Sequence, residues 1–566
     1  MPLRIGEILV EKKIITAEQL NIAIKEQEST GEAVGEILKK LGFITEYQLL
    51  KALAEQQGIP FVDPGELQID RNVITSVPPK FVWHYKIMPV RLEGGTLTIA
   101  TSNPFDMWPL DDLETNLGYR VEKVLATSRS IQDAIREYYG VGADTIEEIL
   151  AAEKPEDKRP ACPADGEKEK DIEKMAGKAS VIKLVNQILE EAIRDRATDI
   201  HIENFRTRLR LRYRIDGILY DTRTSGDIHS LYLAIISRIK VMSGLDIVER
   251  RLPQDGRAQI RVDKKEYELR VSCMPTLYGE NLVIRILPTT MIFSVQDLGM
   301  SPEDRDVLED IIKKPYGILL VTGPTGSGKT TTLYACLSRL NTKERKIVTI
   351  EDPIEYELDG ISQTQVNPGI GLTFSRTLRS MLRHDPDIMM VGEIRDFETA
   401  EITIQTALTG HLVFSTLHTN DAPSGIARLM DIGVEPYLVA SSVEAFMAQR
   451  LVRVICDECK EPQEIPEAVL ERFGLSCSLP DGKKAVAYRG KGCKACGNTG
   501  YRGRTGIYEI LRVDGEMKDL ILKKVSAGEL KEAAVRSGMK TLKQDGWNRV
   551  LEGITTPEEV MRVTQV

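Results

Sequence analysis

The sequence predicts an α/β protein built from several domains. Its 566 residues exceed what one hydrophobic core normally accommodates, so we expect three or four domains. Between residues 300 and 566, apolar runs typical of buried strands alternate with helical patterns, which indicates a parallel sheet covered by helices. A highly charged stretch with several prolines, rich in Lys and Glu, lies between two more apolar regions and predicts a flexible linker.

The composition is that of an ordinary soluble protein, with 42% hydrophobic and 28% charged residues. The net charge of -10 argues against non-specific nucleic-acid binding, which requires Lys and Arg in excess. The sequence shows no secretory signal and no apolar run near the roughly 20 residues that cross a bilayer. We therefore expect a cytoplasmic protein that reaches a membrane only through partners. Its eight cysteines favour a reducing compartment.

The first predicted domain, residues 1–140, begins with a tandem repeat. Arg4–Leu9 returns as Ala33–Leu38, an offset of 29 residues (33 minus 4). Apolar residues at helical spacing, with Thr16 and Thr45 in N-cap positions, predict helices in both copies. Strand-like patterns that alternate with short helices follow up to residue 140.

Three further segments complete the predicted domain order. Residues 141–179 form the linker, and residues 180–290 form a second α/β domain. That domain contains a strand whose residues alternate in character, with arginines from Arg208 to Arg214 on one face and apolar side chains on the other. Residues 300–566 form the third domain, which includes a cysteine-bearing insert at 456–504.

A phosphate-binding loop opens the third domain. Gly323–Thr330 matches the pattern G-x-x-x-x-G-K-[ST] in full, a buried strand precedes it and a helix follows, which disfavours a chance match. Lys329 is predicted to contact the β- and γ-phosphates of ATP, and Thr330 to hold Mg²⁺. The predicted nucleotide contacts are Gly323, Pro324, Thr325, Gly326, Ser327, Gly328, Lys329, Thr330 and Thr331.

Three residues downstream are candidates for the chemistry. Glu393 follows the predicted strand Ile388–Val391, where a carboxylate can orient or deprotonate the attacking water. Glu355 ends a cluster of three carboxylates that begins at Glu351, and His418 lies in a polar segment suited to sensing a γ-phosphate. The alternatives are a solvated surface charge for the acids and a structural role for the histidine.

The insert carries two C-x-x-C pairs. Cys456, Cys459, Cys493 and Cys496 provide four thiolates, which is the ligand set of a closed structural Zn²⁺ site. A redox role is disfavoured because a redox motif needs one pair near a βαβ unit. Of the other cysteines, we expect Cys477 to be a bystander.

Several motifs together resemble the secretion ATPase superfamily that powers type II secretion and type IV pili. The matching segments are Gly323–Tyr334, the "Asp box" Glu351–Glu355, Gly392–Asp396, the "His box" Thr409–Asn420, and upstream Ala197–Glu203, Arg251–Arg257 and Arg270–Ser272. The resemblance covers residues 180–566.

The resemblance implies a RecA-like ATPase core, a PAS-like second domain and a homohexamer. In such enzymes the second domain closes over its own ATP site, Arg270 and Arg285 reach the γ-phosphate, and Glu393 acts on the water. Retraction enzymes of the superfamily lack the long N-terminal region and the cysteine insert. This chain has both, so it resembles an assembly enzyme, and the N-terminal repeat favours a type IV pilus assembly ATPase first and a type II secretion ATPase second. Either enzyme is expected to act with an inner-membrane platform protein at the cytoplasmic side.

The tandem repeat also resembles an N-terminal domain that binds cyclic di-GMP. Arg4, Gly6 and Gln27 follow its pattern in the first copy, whereas the second copy has Ala33 in place of the arginine. The alternative is a pair of helical hairpins that dock on a membrane-bound platform or regulator. For the whole chain, a nucleic-acid translocase that uses the arginine-rich strand and a non-enzymatic nucleotide-sensing scaffold are the competing functions.

Overall fold

The computed structural model describes residues 5–565 except 106–107, 144, 147–148, 150–177, 225, 289–293, 466–469 and 471–485. Arg4, Cys162, Cys477 and most of the predicted linker lie outside the described residues. The chain forms two compact units, Met1–Leu287 and Pro288–Val566.

The tandem repeat folds as four helices, two in each copy. They are α1 (Ile5–Glu11), α2 (Ala17–Thr30), α3 (Val34–Lys40) and α4 (Glu46–Gln57). The hydroxyl of Thr16 accepts a hydrogen bond from the N–H of Gln19, whose side chain accepts one from the N–H of Thr16. Thr45 and Gln48 form the same capping box at α4, so both predicted caps are confirmed.

Glycines at equivalent positions of the two copies let neighbouring helices approach closely. A Cβ at Gly6 would lie 2.4 Å from Cδ1 of Leu20, and a Cβ at Gly35 would lie 2.6 Å from Cδ1 of Leu49. Real Cβ contacts are not this short, so a side chain here would push the leucine aside. Helix packing therefore accounts for both glycines without a ligand.

A three-stranded sheet with surrounding helices follows the repeat. Its strands, in the order β1-β2-β3, are β1 (Met88–Glu93), β2 (Thr96–Thr101) and β3 (Arg120–Leu125). The helices are α5 (Arg71–Ser76), α6 (Pro79–Tyr85), α7 (Trp108–Leu117) and α8 (Ser128–Tyr139). Leu97 and Ile99 of β2 pack with Ile131 and Ile135 of α8 in one core. The predicted alternation of strands and helices is confirmed.

The next region of the first unit is a six-stranded sheet packed against two helices, α9 (Ala179–Arg194) and α10 (Tyr232–Met242). The strands are β4 (Ala197–Asn204), β5 (Leu209–Ile215), β6 (Ile218–Asp221), β7 (Gln254–Val262), β8 (Lys265–Thr276) and β9 (Gly279–Pro288). Their order is β6-β5-β4-β9-β8-β7. Val181, Leu184, Val185 and Ile188 bury the apolar face of α9 in this core.

The start of the predicted linker belongs to this core. Val141, Ile146 and Ile149 are buried in the same cluster as α9, so this part of the segment 141–179 is folded. The residues that follow are densely charged, so the composition of the segment 141–179 as a whole conceals these apolar positions.

The arginine-rich strand β5 has the alternation that the sequence predicts. Leu209, Leu211 and Tyr213 are buried, and the intervening arginines lie on the other face. Those arginines are paired with acids: Arg210 with Asp221, Arg212 with Glu203, and Arg214 with Asp199. The positive charge of this strand is therefore compensated within the domain.

The second unit is a seven-stranded sheet in the order β12-β11-β13-β14-β10-β15-β18. All neighbouring strands are parallel except β15 and β18, which run antiparallel. The strands of this unit, including a small hairpin of β16 and β17, are β10 (Gly317–Thr322), β11 (Ile347–Glu351), β12 (Ser362–Gln365), β13 (Ile388–Val391), β14 (Leu412–Leu417), β15 (Val443–Ile455), β16 (Lys460–Glu464), β17 (Val486–Gly490) and β18 (Tyr501–Arg512). The helices are α11 (Pro302–Ile312), α12 (Lys329–Leu340), α13 (Phe374–Met381), α14 (Phe397–Leu408), α15 (Pro423–Asp431), α16 (Pro436–Ser442), α17 (Gly515–Leu522), α18 (Ala527–Arg536), α19 (Leu542–Leu551) and α20 (Pro557–Thr564).

Both faces of this sheet are buried, which explains why its strands are continuous apolar runs. In β10, Ile318 and Leu320 belong to one core cluster, and Leu319 and Val321 belong to the cluster on the opposite face. A parallel sheet with helices on both faces requires such strands. The carboxyl ends of β10, β13 and β14 consequently lie at one edge of the sheet, where the candidate residues follow them.

Candidate nucleotide-binding site and cysteine cluster

The predicted phosphate loop joins β10 to α12. Gly323 begins the loop with a φ of 150°, and Gly328 caps α12 with a φ of 90°. A Cβ at Gly323 would lie 2.7 Å from the carbonyl oxygen of Gln449, and one at Gly328 would lie 2.7 Å from Nε2 of the same residue. Because β15 presses against the loop at both points, both positions require glycine.

Polar groups inside the loop are arranged for an anion. The Nζ of Lys329 donates to the carbonyl oxygens of Gly323 and Pro324, at 2.8 and 3.0 Å. The hydroxyls of Ser327 and Thr322 are buried and have no hydrogen-bond partner among the described residues. A phosphate oxygen in the loop would satisfy the Ser327 hydroxyl together with the N–H groups of the helix N-terminus, so the loop fits a nucleotide.

The charge of Lys329 depends on its surroundings. The pKa of Lys329 is lowered to about 8, chiefly because the side chain is buried; the carboxylate of Glu393 acts in the opposite direction, and the cation of Arg450 acts in the same direction as burial. The charges of Glu393 and Arg450 therefore both influence the pKa of Lys329.

Glu393 follows β13 by two residues and its side chain is only 11% exposed. One carboxylate oxygen contacts the guanidinium of Arg395, and the other lies 3.3 Å from Nε2 of His418, just beyond β14. The hydroxyl of Thr416 donates to the carbonyl oxygen of Gly392 at 2.7 Å and fixes the turn that carries the acid. The structure thus brings together two predicted site residues, Glu393 and His418.

The two histidines of the His box lie at opposite ends of β14. His418 is half exposed and contacts Glu393. His411 precedes the strand, and its Nδ1 lies 3.0 Å from the carbonyl oxygen of Thr406 at the end of α14. His411 therefore has a structural position, and only His418 stands at the edge that carries the phosphate loop.

The acidic cluster after β11 contains a residue whose role the sequence did not identify. Glu351 is buried and accepts hydrogen bonds from Tyr334 of α12, from Thr349 at 2.6 Å and from Gln363 at 3.1 Å. Glu351 thereby fixes α12 to the sheet. Glu355, the predicted catalytic member, is half-buried, and its backbone N–H donates to the hydroxyl of Tyr334 at 3.4 Å.

Arg270 and Arg285 lie in the first unit on the neighbouring strands β8 and β9, as the sequence predicts. Arg285 is half exposed and its Nε donates to Asp199 at 3.3 Å. Arg270 is mostly buried and its Nε lies 3.6 Å from Glu268. Contact of either arginine with a γ-phosphate stays a prediction.

The four cysteines of the insert come together. Their Sγ atoms all lie within 4.8 Å of one another. The separations are 3.8 Å for Cys456–Cys493, 3.9 Å for Cys459–Cys496 and 3.8 Å for Cys493–Cys496. Tetrahedral zinc with Zn–S bonds of about 2.3 Å requires sulfur separations of about 3.8 Å, so the cluster fits a closed zinc site.

Backbone amides support the thiolates of this cluster. The N–H groups of Cys493 and Gly500 both donate to Sγ of Cys496, each at 3.2 Å, and the N–H of Gly492 donates to Cys459 at 3.3 Å. Burial by itself raises the pKa of Cys496, but the amide donors and hydrogen bonds with the Cys493 and Cys459 thiols outweigh burial and bring that pKa to about 7. At Cys459 burial prevails over the amide of Gly492 and raises the pKa to about 12. Amides directed at sulfur favour the deprotonated form that binds a metal.

The second unit therefore defines a class of protein. A buried strand, a glycine-rich loop with its lysine and a helix N-terminus form a phosphate cradle, and an acid ends a strand at the same edge of the sheet. This is the arrangement of a P-loop nucleoside triphosphatase.

Comparison with known proteins identifies the family. The chain belongs to the family described as Type II/IV secretion system protein, which matches residues 174–562, and it is an ATP-hydrolysing enzyme. A MshEN domain matches residues 57–145. The resemblance drawn from the motifs is confirmed.

Two of the similar proteins cover nearly the whole chain. The type IV pilus assembly ATPase PilB of Myxococcus xanthus is 42% identical, over 99% of this chain and 98% of its own length. The type II secretion system protein E of Xanthomonas campestris pv. campestris is 41% identical, over the same shares. The solved ATPase DotB of Yersinia pseudotuberculosis is 20% identical, covers 67% of this chain and 92% of its own, and has a TM-score of 0.50, which supports the RecA-like fold.

Proposed function

We propose that the chain is a motor that hydrolyses ATP to drive type IV pilus assembly. The observation that carries this proposal is the 42% identity, over 99% of the chain, to a relative named for that activity. The phosphate loop beside Glu393 supplies the hydrolysis. Purified protein should hydrolyse ATP, and Lys329→Ala should abolish nucleotide binding or hydrolysis because it removes the charge that faces the β- and γ-phosphates.

Each group at the loop has one task in this proposal. Lys329 neutralises phosphate charge, and the loop amides hold the phosphate oxygens. The exposed hydroxyl of Thr330 suits Mg²⁺, which neutralises further phosphate charge when bound. Glu393 orients or deprotonates the attacking water, and His418 holds the Glu393 carboxylate in place. Glu355 stays a candidate for a supporting role.

Arg270 and Arg285 are proposed to stabilise charge that develops on the γ-phosphate. Replacing either with Ala should depress turnover more than ADP affinity, because ADP has no γ-phosphate. Arg210→Ala is a matched control, since Arg210 lies in the same sheet and is paired with Asp221. An equal loss of ADP and ATP binding would instead indicate a disturbed domain.

Type II secretion is the second candidate, favoured by 41% identity to a secretion protein over the same 99% of the chain. Deletion of the gene in its source organism separates the two functions. Loss of surface pili with normal protein secretion supports the pilus motor. Loss of secretion with normal pili supports the secretion motor.

The motor is proposed to be a homohexamer that acts at the cytoplasmic side of the inner membrane through a platform protein. Among the described residues, no helix is long and apolar enough to cross a membrane. Light scattering with ADP should give the mass of six chains of 63.3 kDa. Binding to the isolated cytoplasmic part of the platform protein tests the partner.

The N-terminal repeat keeps its two interpretations, a cyclic di-GMP site and a docking surface. Helix packing explains the close approach at Gly6 and Gly35, which supports the docking interpretation. Calorimetry of the full chain with cyclic di-GMP decides between them. Micromolar binding that disappears in Arg4→Ala supports the ligand site, and no heat at high ligand concentration leaves the docking role.

A further inference from the structure

The strand beside the phosphate loop carries a buried cation that has no task in the hydrolysis described above. Arg450 lies on β15, which pairs with β10, and only 6% of its surface is exposed. Burial lowers the pKa of Arg450, and the carboxylates of Glu509 and Asp421 act against this effect. A buried charge is costly unless specific contacts compensate it, so the contacts of Arg450 indicate its role.

The guanidinium of Arg450 reaches two backbone carbonyls. Its Nη1 donates to the carbonyl oxygen of Gln449 at 3.0 Å, and its Nη2 donates to that of Asn420 at 2.8 Å. The Gln449 carbonyl and Nη1 of Arg450 lie 2.7 and 3.1 Å from the position of a Cβ at Gly323. One end of the fork therefore lies against the first residue of the phosphate loop, and the other holds the segment that follows β14.

That segment, His418–Ala422, is fixed at three successive residues. Asn420 accepts from Arg450, and Asp421 accepts from Nζ of Lys531 at 3.1 Å. The N–H of Ala422 donates to Oε1 of Glu509 at 2.9 Å. Its first residue, His418, contacts Glu393. The position of the His418 side chain thus depends on contacts made two to four residues further along the chain.

Glu509 fixes the far end of the segment to a third element. Its Oε2 accepts from the N–H of Leu542 at the start of α19, at 3.2 Å. Burial raises the pKa of Glu509, and Lys531 acts in the opposite direction. Glu509 and Arg450 lie on the adjacent strands β18 and β15, so one pair of strands anchors the middle of the segment at Asn420 and its far end at Ala422.

We propose that Arg450 is a positioning residue for ATP hydrolysis. Its fork fixes the segment His418–Ala422 against the phosphate loop, so that His418 and Glu393 keep a constant position relative to the nucleotide phosphates. This inference rests on the proposed hydrolysis at Glu393. The task requires two N–H groups at a fixed angle, which a guanidinium offers and an ammonium does not.

The experiment compares full-length Arg450→Gln and Arg450→Lys with the wild type in steady-state ATP hydrolysis and in ADP binding. We expect both variants to lose at least about tenfold in kcat, since a misplacement of about 1 Å can cost 10²-fold. The dissociation constant for ADP should change by less than about threefold, because the phosphate loop keeps its own amides and lysine. A residue that only supports the fold would lower stability without this separation of kcat from affinity.

Arg453→Gln is the matched control. Arg453 lies on the same strand and is also mostly buried, but its guanidinium pairs with Glu559, away from the loop. This variant should melt at a lower temperature and keep the native kcat per folded molecule.

Two outcomes would overturn the inference. Native kcat in Arg450→Lys would show that charge suffices and the fork is dispensable. If a variant of Arg450 loses kcat/KM and ADP affinity by the same factor, the phosphate loop itself is distorted. If Arg450→Gln does not fold, Arg450→Lys decides the question alone. A wild type that does not hydrolyse ATP would refute the proposed function, a result distinct from native turnover in the variants.

Discussion

The pKa of Lys329 predicts that nucleotide binding weakens at alkaline pH. Burial brings this pKa from 10.5 to about 8 in the free protein, and a bound phosphate favours the charged ammonium. The contribution of Lys329 to binding is therefore nearly complete at pH 7 and declines progressively as the pH rises above 8, towards the higher pKa of the complex. At pH 7 about 90% of the lysine is charged, and at pH 9 about 10% is charged. The dissociation constant for ADP should increase about tenfold between these two pH values.

Isothermal titration calorimetry at constant Mg²⁺ measures this effect. Titrations in buffers with different ionisation enthalpies should show uptake of about half a proton per ADP at pH 8, because half of the lysine is then neutral. Lys329→Arg is the control, since a guanidinium remains charged over this range and its affinity for ADP should not depend on pH. A wild-type dissociation constant that is constant to pH 9, or an equal increase in Lys329→Arg, would refute the reasoning.

Three further predictions concern single side chains. Glu393→Gln should keep ADP affinity and lose about 10²–10⁴-fold in turnover, and a native rate would exclude Glu393 as the residue that acts on water. Elemental analysis of protein purified without chelator should give one zinc per chain, and Cys456→Ser should lower the melting temperature, whereas zinc-free protein of native stability would contradict the metal site. Burial raises the pKa of Glu559, but the hydrogen bonds from Arg562 and Arg453 outweigh burial and hold that pKa at about 2. The Glu559 carboxylate therefore stabilises the fold fully above pH 4.5, and this stabilisation is lost as the pH falls towards 2. Glu559→Gln should therefore melt several degrees lower at neutral pH, and the exposed neighbour Glu558→Gln should not, with equal melting of the two as the contrary result.

Features encoded by short stretches of sequence were predictable. The phosphate loop, the helix caps Thr16 and Thr45, and the alternation in β5 depend on residues within one or two turns or strand steps of each other. The cysteine cluster was also predictable, although its two C-x-x-C pairs are distant in the chain. Four thiolates are the complete ligand set of one tetrahedral zinc site, so the two pairs are expected to come together.

Contacts between distant segments were not predictable. Within the acidic cluster the sequence favoured Glu355, and only the structure shows Glu351 beneath Tyr334 of α12. The residues around Arg450 in the sequence do not indicate its role, since an arginine on a strand is usually a surface charge. Only the structure shows its contact with Asn420. Val141, Ile146 and Ile149 lie in a segment whose composition predicts a linker, and only the structure shows that they pack against α9.

Strand β15 connects the two functional features of the second unit. Its middle braces the phosphate loop through Gln449, whose Oε1 accepts from Thr332 at 2.8 Å, and its end leads directly to Cys456. Between these points Arg453 contacts Glu559 of α20 and lies 3.9 Å from the ring of Tyr501 on β18. Cys456 and Cys459 follow β15, and Cys493 and Cys496 precede β18, so the cysteine cluster lies at the end of this strand pair. The contacts of Arg453 hold the two strands together between the phosphate loop and the cluster. Because that fixation does not involve the cysteines, we expect loss of the proposed zinc to destabilise the insert before it disturbs the phosphate loop, so removal of the metal should lower the melting temperature and leave nucleotide binding unchanged.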